Sequence, residues 1–278
     1  MHGSKPPSAE AAAASDWSEP TAPGFAAVRG VLWAALNFVQ AVCTCVWTAC
    51  WIAAALVMRV VTRGVRVPLA MARRCWAPGM LRVGGMRVEV QGLEHVDFST
   101  PHFFAANHQS IVDVLVLFYV LPVPLLFILK EELRRVPFLG AYVAALGMIF
   151  IPRGERRRSL DNLGECRRRL AAGMSIAMFP EGTRSRDGRV APFRPATFLP
   201  AIDAGVPVVP VALEGPGRIL PPGTFRVRPG TVRVAFGPPV PTAGMERGDR
   251  RRLAREVRAR ILETYRNLRS GSPPNVAF

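Results

Sequence analysis

The run Asn107-His108-Gln109-Ser110-Ile111-Val112-Asp113 places one imidazole five residues ahead of one carboxylate. That pair can do general-base chemistry. The carboxylate fixes the histidine tautomer, and the other ring nitrogen is left to take a proton. Phe103-Phe104-Ala105-Ala106, just before it, has the character of a strand, and Ile111 to Val120 that of an apolar helix. Ser110 and Asp113 have the form of a capping box, with Ser110 as N-cap and Asp113 at the third helical position. His108 then falls in the turn before the helix and Asp113 in its first turn. A plainer reading stays open, in which Ser110 and Asp113 only cap the helix and His108 is an ordinary loop residue.

About seventy residues later comes Phe179-Pro180-Glu181-Gly182-Thr183-Arg184-Ser185. It follows the strand-like Ser175 to Phe179. Pro180 stops the strand, and Gly182 permits a tight turn. An arginine in such a loop can grip a phosphate through two parallel hydrogen bonds. A solvated surface turn is the alternative. Lys130 directly follows another apolar run, Leu125 to Leu129, and Arg153 follows Met148 to Ile151. Three cations after three strands can converge on one anion, although each alone is more often a solvated charge.

These residues need a frame to bring them together. Further strand candidates are Met86 to Val90, Pro207 to Leu213 and Thr231 to Phe236, with His102 to Ala106 enclosing the run before His108. Amphipathic stretches separate them. Glu155 to Ala172 carries Leu160, Leu163 and Leu170 on one face, and Asp249 to Leu268 carries Leu253, Val257, Ile261, Tyr265 and Leu268. The alternation predicts an α/β fold, a mostly parallel central sheet flanked by helices. Functional residues then belong in the loops after the C-terminal ends of strands, where both clusters lie.

The chain has 278 residues, half of them apolar, which excludes global disorder. Its formal charge of +16 is nearly all arginine, since Lys5 and Lys130 are the lysines. Such a charge calls for an anionic partner, nucleic acid or anionic lipid. Position favours lipid. Residues 30–58 contain no charge and, as a helix, would be about 44 Å long against a hydrocarbon core of about 30 Å. Asn37, Gln40 and Thr44 interrupt the run, so both a spanning helix and one that bends back within a leaflet are open. Arg59, Arg63, Arg66, Arg73, Arg74 and Arg82 follow with no acid among them, suggesting an interfacial helix against anionic headgroups. Residues 1–58 hold two basic and three acidic residues, and this asymmetry puts the following domain on the cytoplasmic side. The five cysteines, Cys43, Cys45, Cys50, Cys75 and Cys166, have no framework or metal spacing and fit a reducing compartment. Expected segments are a polar, disordered lead at 1–29, a membrane-anchoring helical segment at 30–82, an α/β domain at 83–269 and a flexible tail at 270–278.

Taken together, these motifs resemble the lysophosphatidic acid acyltransferase family. Its asparagine-histidine, four residues, aspartate pattern is matched by Asn107, His108 and Asp113. A second motif is matched by Gly147, Phe150, Ile151 and Arg153, a third by Phe179 to Ser185, and a fourth by Val209-Pro210-Val211. Lys130, Leu133, Pro137 and Gly140 match a further stretch. The match covers roughly residues 85–240. One departure is that Phe193-Arg194 is followed by Pro195-Ala196-Thr197, where family members usually have glycine and then alanine.

The resemblance implies a membrane-bound enzyme that moves a fatty acyl group from a thioester to the sn-2 hydroxyl of lysophosphatidic acid. His108 would be the base and Asp113 its orienter. Glu181, Gly182, Thr183 and Arg184, with Arg153 and Lys130, would hold the phosphate. Asn107, Ser110, Gly147, Phe150 and Pro180 would support them. Acyl-CoA or acyl carrier protein would be the co-substrate, with no cofactor, no metal and no nucleic acid. Another lysolipid acceptor, such as a lyso-ornithine lipid, is kept as an alternative because of Ala196. A basic nucleic-acid- or membrane-binding protein is the non-enzyme alternative; no stacking aromatic motif supports the nucleic-acid form.

Overall fold

The computed structural model describes residues 23–136, 139–151 and 156–270. Arg153, Pro137 and Glu155 lie outside the described residues, as do the expected polar lead up to residue 22 and the tail from 271.

Seven strands form one sheet: β1 (Met86–Gln91), β2 (Phe103–Ala106), β3 (Leu125–Lys130), β4 (Ile149–Ile151), β5 (Ser175–Met178), β6 (Val208–Glu214) and β7 (Gly230–Phe236). The strand order is β1-β7-β6-β2-β5-β3-β4. Every pairing is parallel except β6 with β7. The sheet is therefore mostly parallel, as its apolar runs predict. The residues of β2, β5 and β6 are all buried. A strand covered by helices on both faces reads as a continuous apolar run, not an alternating one. At the edge, β1 is largely exposed.

The reversal at β7 has a geometric result. β6 runs parallel to β2, so both end on the side where His108 emerges. β7 runs back from that side, and β1 runs with β7, pairing Met86 with Gly230. Both β1 and β7 thus begin at the end of the sheet where β2, β3, β5 and β6 finish.

Ahead of the sheet lies α1 (Pro23–Thr62), 40 residues long. It is unbroken at Asn37, Gln40 and Thr44, and the Asn37 amide donates to the Trp33 carbonyl at 2.8 Å. Val31–Thr62 is long and apolar enough to cross a membrane. By contact density the described residues divide into two compact units, one up to Gln40 and one from Ala41.

Within the second unit, α1 ends at Arg63, whose φ of 50° is left-handed, followed by Gly64. Then come α2 (Arg66–Met71), a π-helical turn Ala72–Trp76 and α3 (Ala77–Val83). Leu69, Ala72, Ala77 and Leu81 join the same core as the sheet. The sequence shows that the stretch has an apolar face but not what covers it. Two of its arginines also bind the domain. Arg59 Nε donates to the Ala145 carbonyl at 3.2 Å, and Arg66 donates to Ala172 at 3.4 Å. Both carbonyls lie at helix C-termini, after α5 (Leu139–Ala145) and α6 (Arg156–Ala171), where unpaired carbonyls favour cations. Further along, Trp47 donates to the Trp76 carbonyl at 3.1 Å, and Trp76 donates to Thr48 Oγ1 at 3.2 Å. The Trp47 indole packs against Gly79, and a Cβ at position 79 would overlap it.

Candidate active site

His108 sits between β2 and α4 (Val112–Val120). Its Nδ1 lies 2.7 Å from Asp113 Oδ2. A carboxylate only accepts, so Nδ1 carries the proton and Nε2 keeps its lone pair for a substrate. The same Oδ2 accepts from the Gln109 amide at 2.7 Å and the Ser110 amide at 2.9 Å. One buried oxygen thus gathers the turn and the ring. Asp113 is fully buried, while the His108 side chain is 18 % exposed. Asp113 Oδ1 is buried and has no hydrogen-bond partner among the described residues.

The capping box is only half present. Asp113 reaches back to the Ser110 amide, as that motif requires. The helix, however, starts at Val112 with Ile111 before it. The Ser110 hydroxyl donates to the Leu220 carbonyl at 2.7 Å and accepts weakly from the Val112 amide at 3.3 Å. A distant loop has claimed the hydroxyl that local sequence assigns to the cap.

The second cluster meets the first directly. The His108 imidazole stacks on Phe179, with centroids 3.9 Å apart and planes within 13°. Glu181 is buried, and both its oxygens are used. Oε1 accepts from the His108 amide at 2.7 Å, and Oε2 accepts from the Ala191 amide at 2.8 Å. Burial pushes its carboxyl above the usual range, against the two amides and His108, which lower it. Ser185 N donates to the His108 carbonyl at 2.7 Å. The Glu181 carboxylate is therefore a brace between the two loops.

Gly182 has φ of 72°, and the Arg194 guanidinium packs against it; a Cβ there would lie 2.8 Å from Arg194 Cζ. Arg194 and Arg184 are both exposed. The Arg194 amide donates to the Pro180 carbonyl at 3.0 Å, which holds this cation beside the turn. In the sequence Arg194 is marked only by its place after Phe193. Lys130 ends β3 and is exposed; β3 is the parallel neighbour of β5, so Lys130 and Arg184 share one end of the sheet. Ala196 is exposed on the 3-10 turn Pro195–Phe198, just beyond Arg194.

The supporting residues have distinct tasks. Asn107 continues the ladder where β2 ends: its Nδ2 donates to the Leu213 carbonyl at 2.9 Å, and its Oδ1 accepts from the Leu213 amide at 2.7 Å. Pro180 is buried. Gly147 takes φ of 79° before β4, and a Cβ there would crowd the Arg169 guanidinium at 3.2 Å. Phe150 is buried in β4, with the Arg134 guanidinium 5.2 Å from its ring centre. Two further residues had no local signal. Gln109 donates to the Tyr265 hydroxyl at 2.9 Å, and that hydroxyl donates to the Gly188 carbonyl at 3.0 Å. This links the site to α9 (Arg250–Ser270). His95 and His102 lie against backbone carbonyls at 3.1 and 2.8 Å, away from the site.

Comparison with known proteins agrees with this geometry. The family model described as acyltransferase matches residues 87–214. A chloroplastic 1-acyl-sn-glycerol-3-phosphate acyltransferase of Brassica napus is 37 % identical over 156 residues, 55 % of this chain and 45 % of its own. The human 1-acyl-sn-glycerol-3-phosphate acyltransferase alpha is 34 % identical over 185 residues, 66 % of this chain and 65 % of its own. The chain thus spans about half the length of the plant relatives and somewhat more of the human one. The crystal structure of the 1-acyl-sn-glycerophosphate acyltransferase PlsC from Thermotoga maritima aligns with a TM-score of 0.71 at 26 % identity, covering 87 % of this chain and 97 % of that one. Over residues 87–214 the chain carries an acyltransferase domain, and in sequence and fold it is similar to 1-acyl-sn-glycerol-3-phosphate acyltransferases.

Proposed function

We propose that this chain is a membrane-bound acyltransferase that esterifies the sn-2 hydroxyl of lysophosphatidic acid from an acyl thioester, giving phosphatidic acid. The observation that carries the reading is the His108–Asp113 pair, 2.7 Å apart and braced by Glu181. His108 Nε2 takes the proton from the acceptor hydroxyl as its oxygen attacks the thioester carbonyl. The tetrahedral adduct collapses, the C–S bond breaks, and the imidazolium returns the proton to the leaving thiolate. Buried Asp113 stabilises the imidazolium in between. Phe179 keeps the ring from turning out of register.

The acceptor phosphate falls to Arg184 and Arg194, with the Gly182–Thr183 turn, Arg153 and Lys130 contributing. The acyl chain of the acceptor stays in a bilayer that α1 enters, and the catalytic domain lies on the cytoplasmic face. Acyl-CoA and acyl carrier protein are both anionic donors suited to the basic surface.

The test is to incubate purified protein with lysophosphatidic acid and lyso-ornithine lipid in parallel, each with both donors, and to read lipid products by mass. Phosphatidic acid is expected, and none from His108→Ala. Product only from the lyso-ornithine lipid would move the acceptor assignment. Undiminished turnover in His108→Ala would end the mechanism.

A further inference from the structure

The turn after α8 (Pro216–Ile219) carries the most exposed large apolar side chain among the described residues, Phe225, at 94 %. Outside α1, the next is Ile111 at 55 %, in the active-site turn itself. Both lie at one end of the sheet. The turn runs from β6, which ends there, to β7, which begins there. Its base is fixed. Leu220 O accepts from the Ser110 hydroxyl, Arg228 N donates to Ile219 O at 2.8 Å, and Leu220 and Val227 pack on the core. Beyond that base, Phe225, Arg226 and Arg228 project outward around a concavity of about 480 Å³. Neither Arg226 nor Arg228 has an ion-pair partner among the described residues. Arg218, closer to the sheet, is held by buried Glu214 at 2.5 Å.

The anchor reaches the same end. Gly230 N donates to Gly85 O at 3.2 Å, tying the turn to the start of β1. Just before it, Val83 lines an apolar cleft with Val42 and Val46 of α1. The opposite end of the sheet holds Arg59 on Ala145 and Arg66 on Ala172. An isolated aromatic at a tip, flanked by unpaired guanidinium groups, has the chemistry of a bilayer interface: the ring enters the headgroup region and the cations meet anionic lipid.

We infer that the turn bearing Phe225, Arg226 and Arg228 is a second membrane contact, which seats the active-site end of the domain on an anionic bilayer. It rests on the membrane association proposed above and adds a contact distinct from α1. An acidic partner would answer the arginines but not the ring, which is 94 % exposed.

The experiment places the photoreactive amino acid p-benzoylphenylalanine at position 225 of the full chain, reconstituted in liposomes of phosphatidylcholine with phosphatidylglycerol. Irradiation should give lipid adducts at 225 and few at position 119, where Tyr119 is also exposed but lies toward the far end of α4. Arg226→Gln and Arg228→Gln should each cut the adduct yield about fivefold at low occupancy, and pure phosphatidylcholine should do the same. If the chain floats with the liposomes but 225 gives no more lipid adduct than 119, the turn does not touch the bilayer, and α1 alone is the anchor. If a soluble acyl carrier protein cross-links at 225 in place of lipid, the turn is a protein-docking site and the inference is overturned. If the chain does not float at all, the membrane reading fails and takes this inference with it.

Discussion

Asp113→Asn separates the charge of the site from its shape. The three groups that meet on Asp113 are the His108 ring and the amides of Gln109 and Ser110, and all three donate to Oδ2. An asparagine oxygen in that place accepts all three, so the turn and the tautomer survive. The new NH2 group then occupies the position of Oδ1, which is buried with no partner among the described residues. An unsatisfied buried donor costs about 1–3 kcal/mol of stability. The chemical loss is different in kind. When His108 takes the proton, wild type gains attraction between an imidazolium and a buried carboxylate. At about 4 Å between charge centres and an effective dielectric near 20, that is about 4 kcal/mol. The variant forgoes it, so kcat should fall roughly 10³-fold. The assay is product formation at saturating acceptor and donor, beside a thermal melt in the same detergent. A modestly lowered melt with a thousandfold loss in kcat is the expected pair. A loss of less than tenfold in a folded variant would show that Asp113 only shapes the turn.

Other consequences can be checked separately. Glu181 is held above its ordinary pKa by burial, so between the unfolded value and the raised folded value the folded state binds the extra proton. Stability from this group therefore falls as pH rises through that window, and Glu181→Gln, which lacks the titration, should gain in melting temperature relative to wild type over the same range. A difference constant with pH would contradict the assignment. Arg184→Ala and Arg194→Ala should each raise the acceptor KM, with about 1.5–3 kcal/mol lost per charged hydrogen bond; a rise confined to the donor KM would move these residues to the donor site. Gly79→Ala should destabilise the docking of α1 by about 1–3 kcal/mol, because its Cβ would overlap the Trp47 indole. Gly248→Ala, with nothing within 4 Å, is the control, and equal melts for the two would refute the packing argument.

Where the sequence is legible and where it is not follows from the distance between partners. Each strand is an apolar run bounded by turns, so the strands can be read one at a time, as can the His108–Asp113 pair, five residues apart. The Glu181 brace joins residues 73 apart, and the Asn107–Leu213 bonds join residues 106 apart. No local pattern distinguishes a carboxylate that binds backbone from one that faces substrate. Ser110 shows the same limit in reverse, since a distant carbonyl competes for its hydroxyl. The antiparallel entry of β7 has no signature either, because Val232 and Val234 would be buried in both directions. The arginines after Met58 announce an anion-seeking surface, but helix-end carbonyls use two of them.

The pairing of β1 with β7 also sets an order of events during synthesis. Met86 bonds across to Gly230, 144 residues later. At 5–20 residues per second, translation needs on the order of ten seconds to supply that partner. The whole of α1 has left the ribosome well before then. For that interval the edge strand β1 stays unpaired and open to mispairing. Closing the sheet is thus a late step of high contact order, which holds folding of this edge until nearly all of the domain exists.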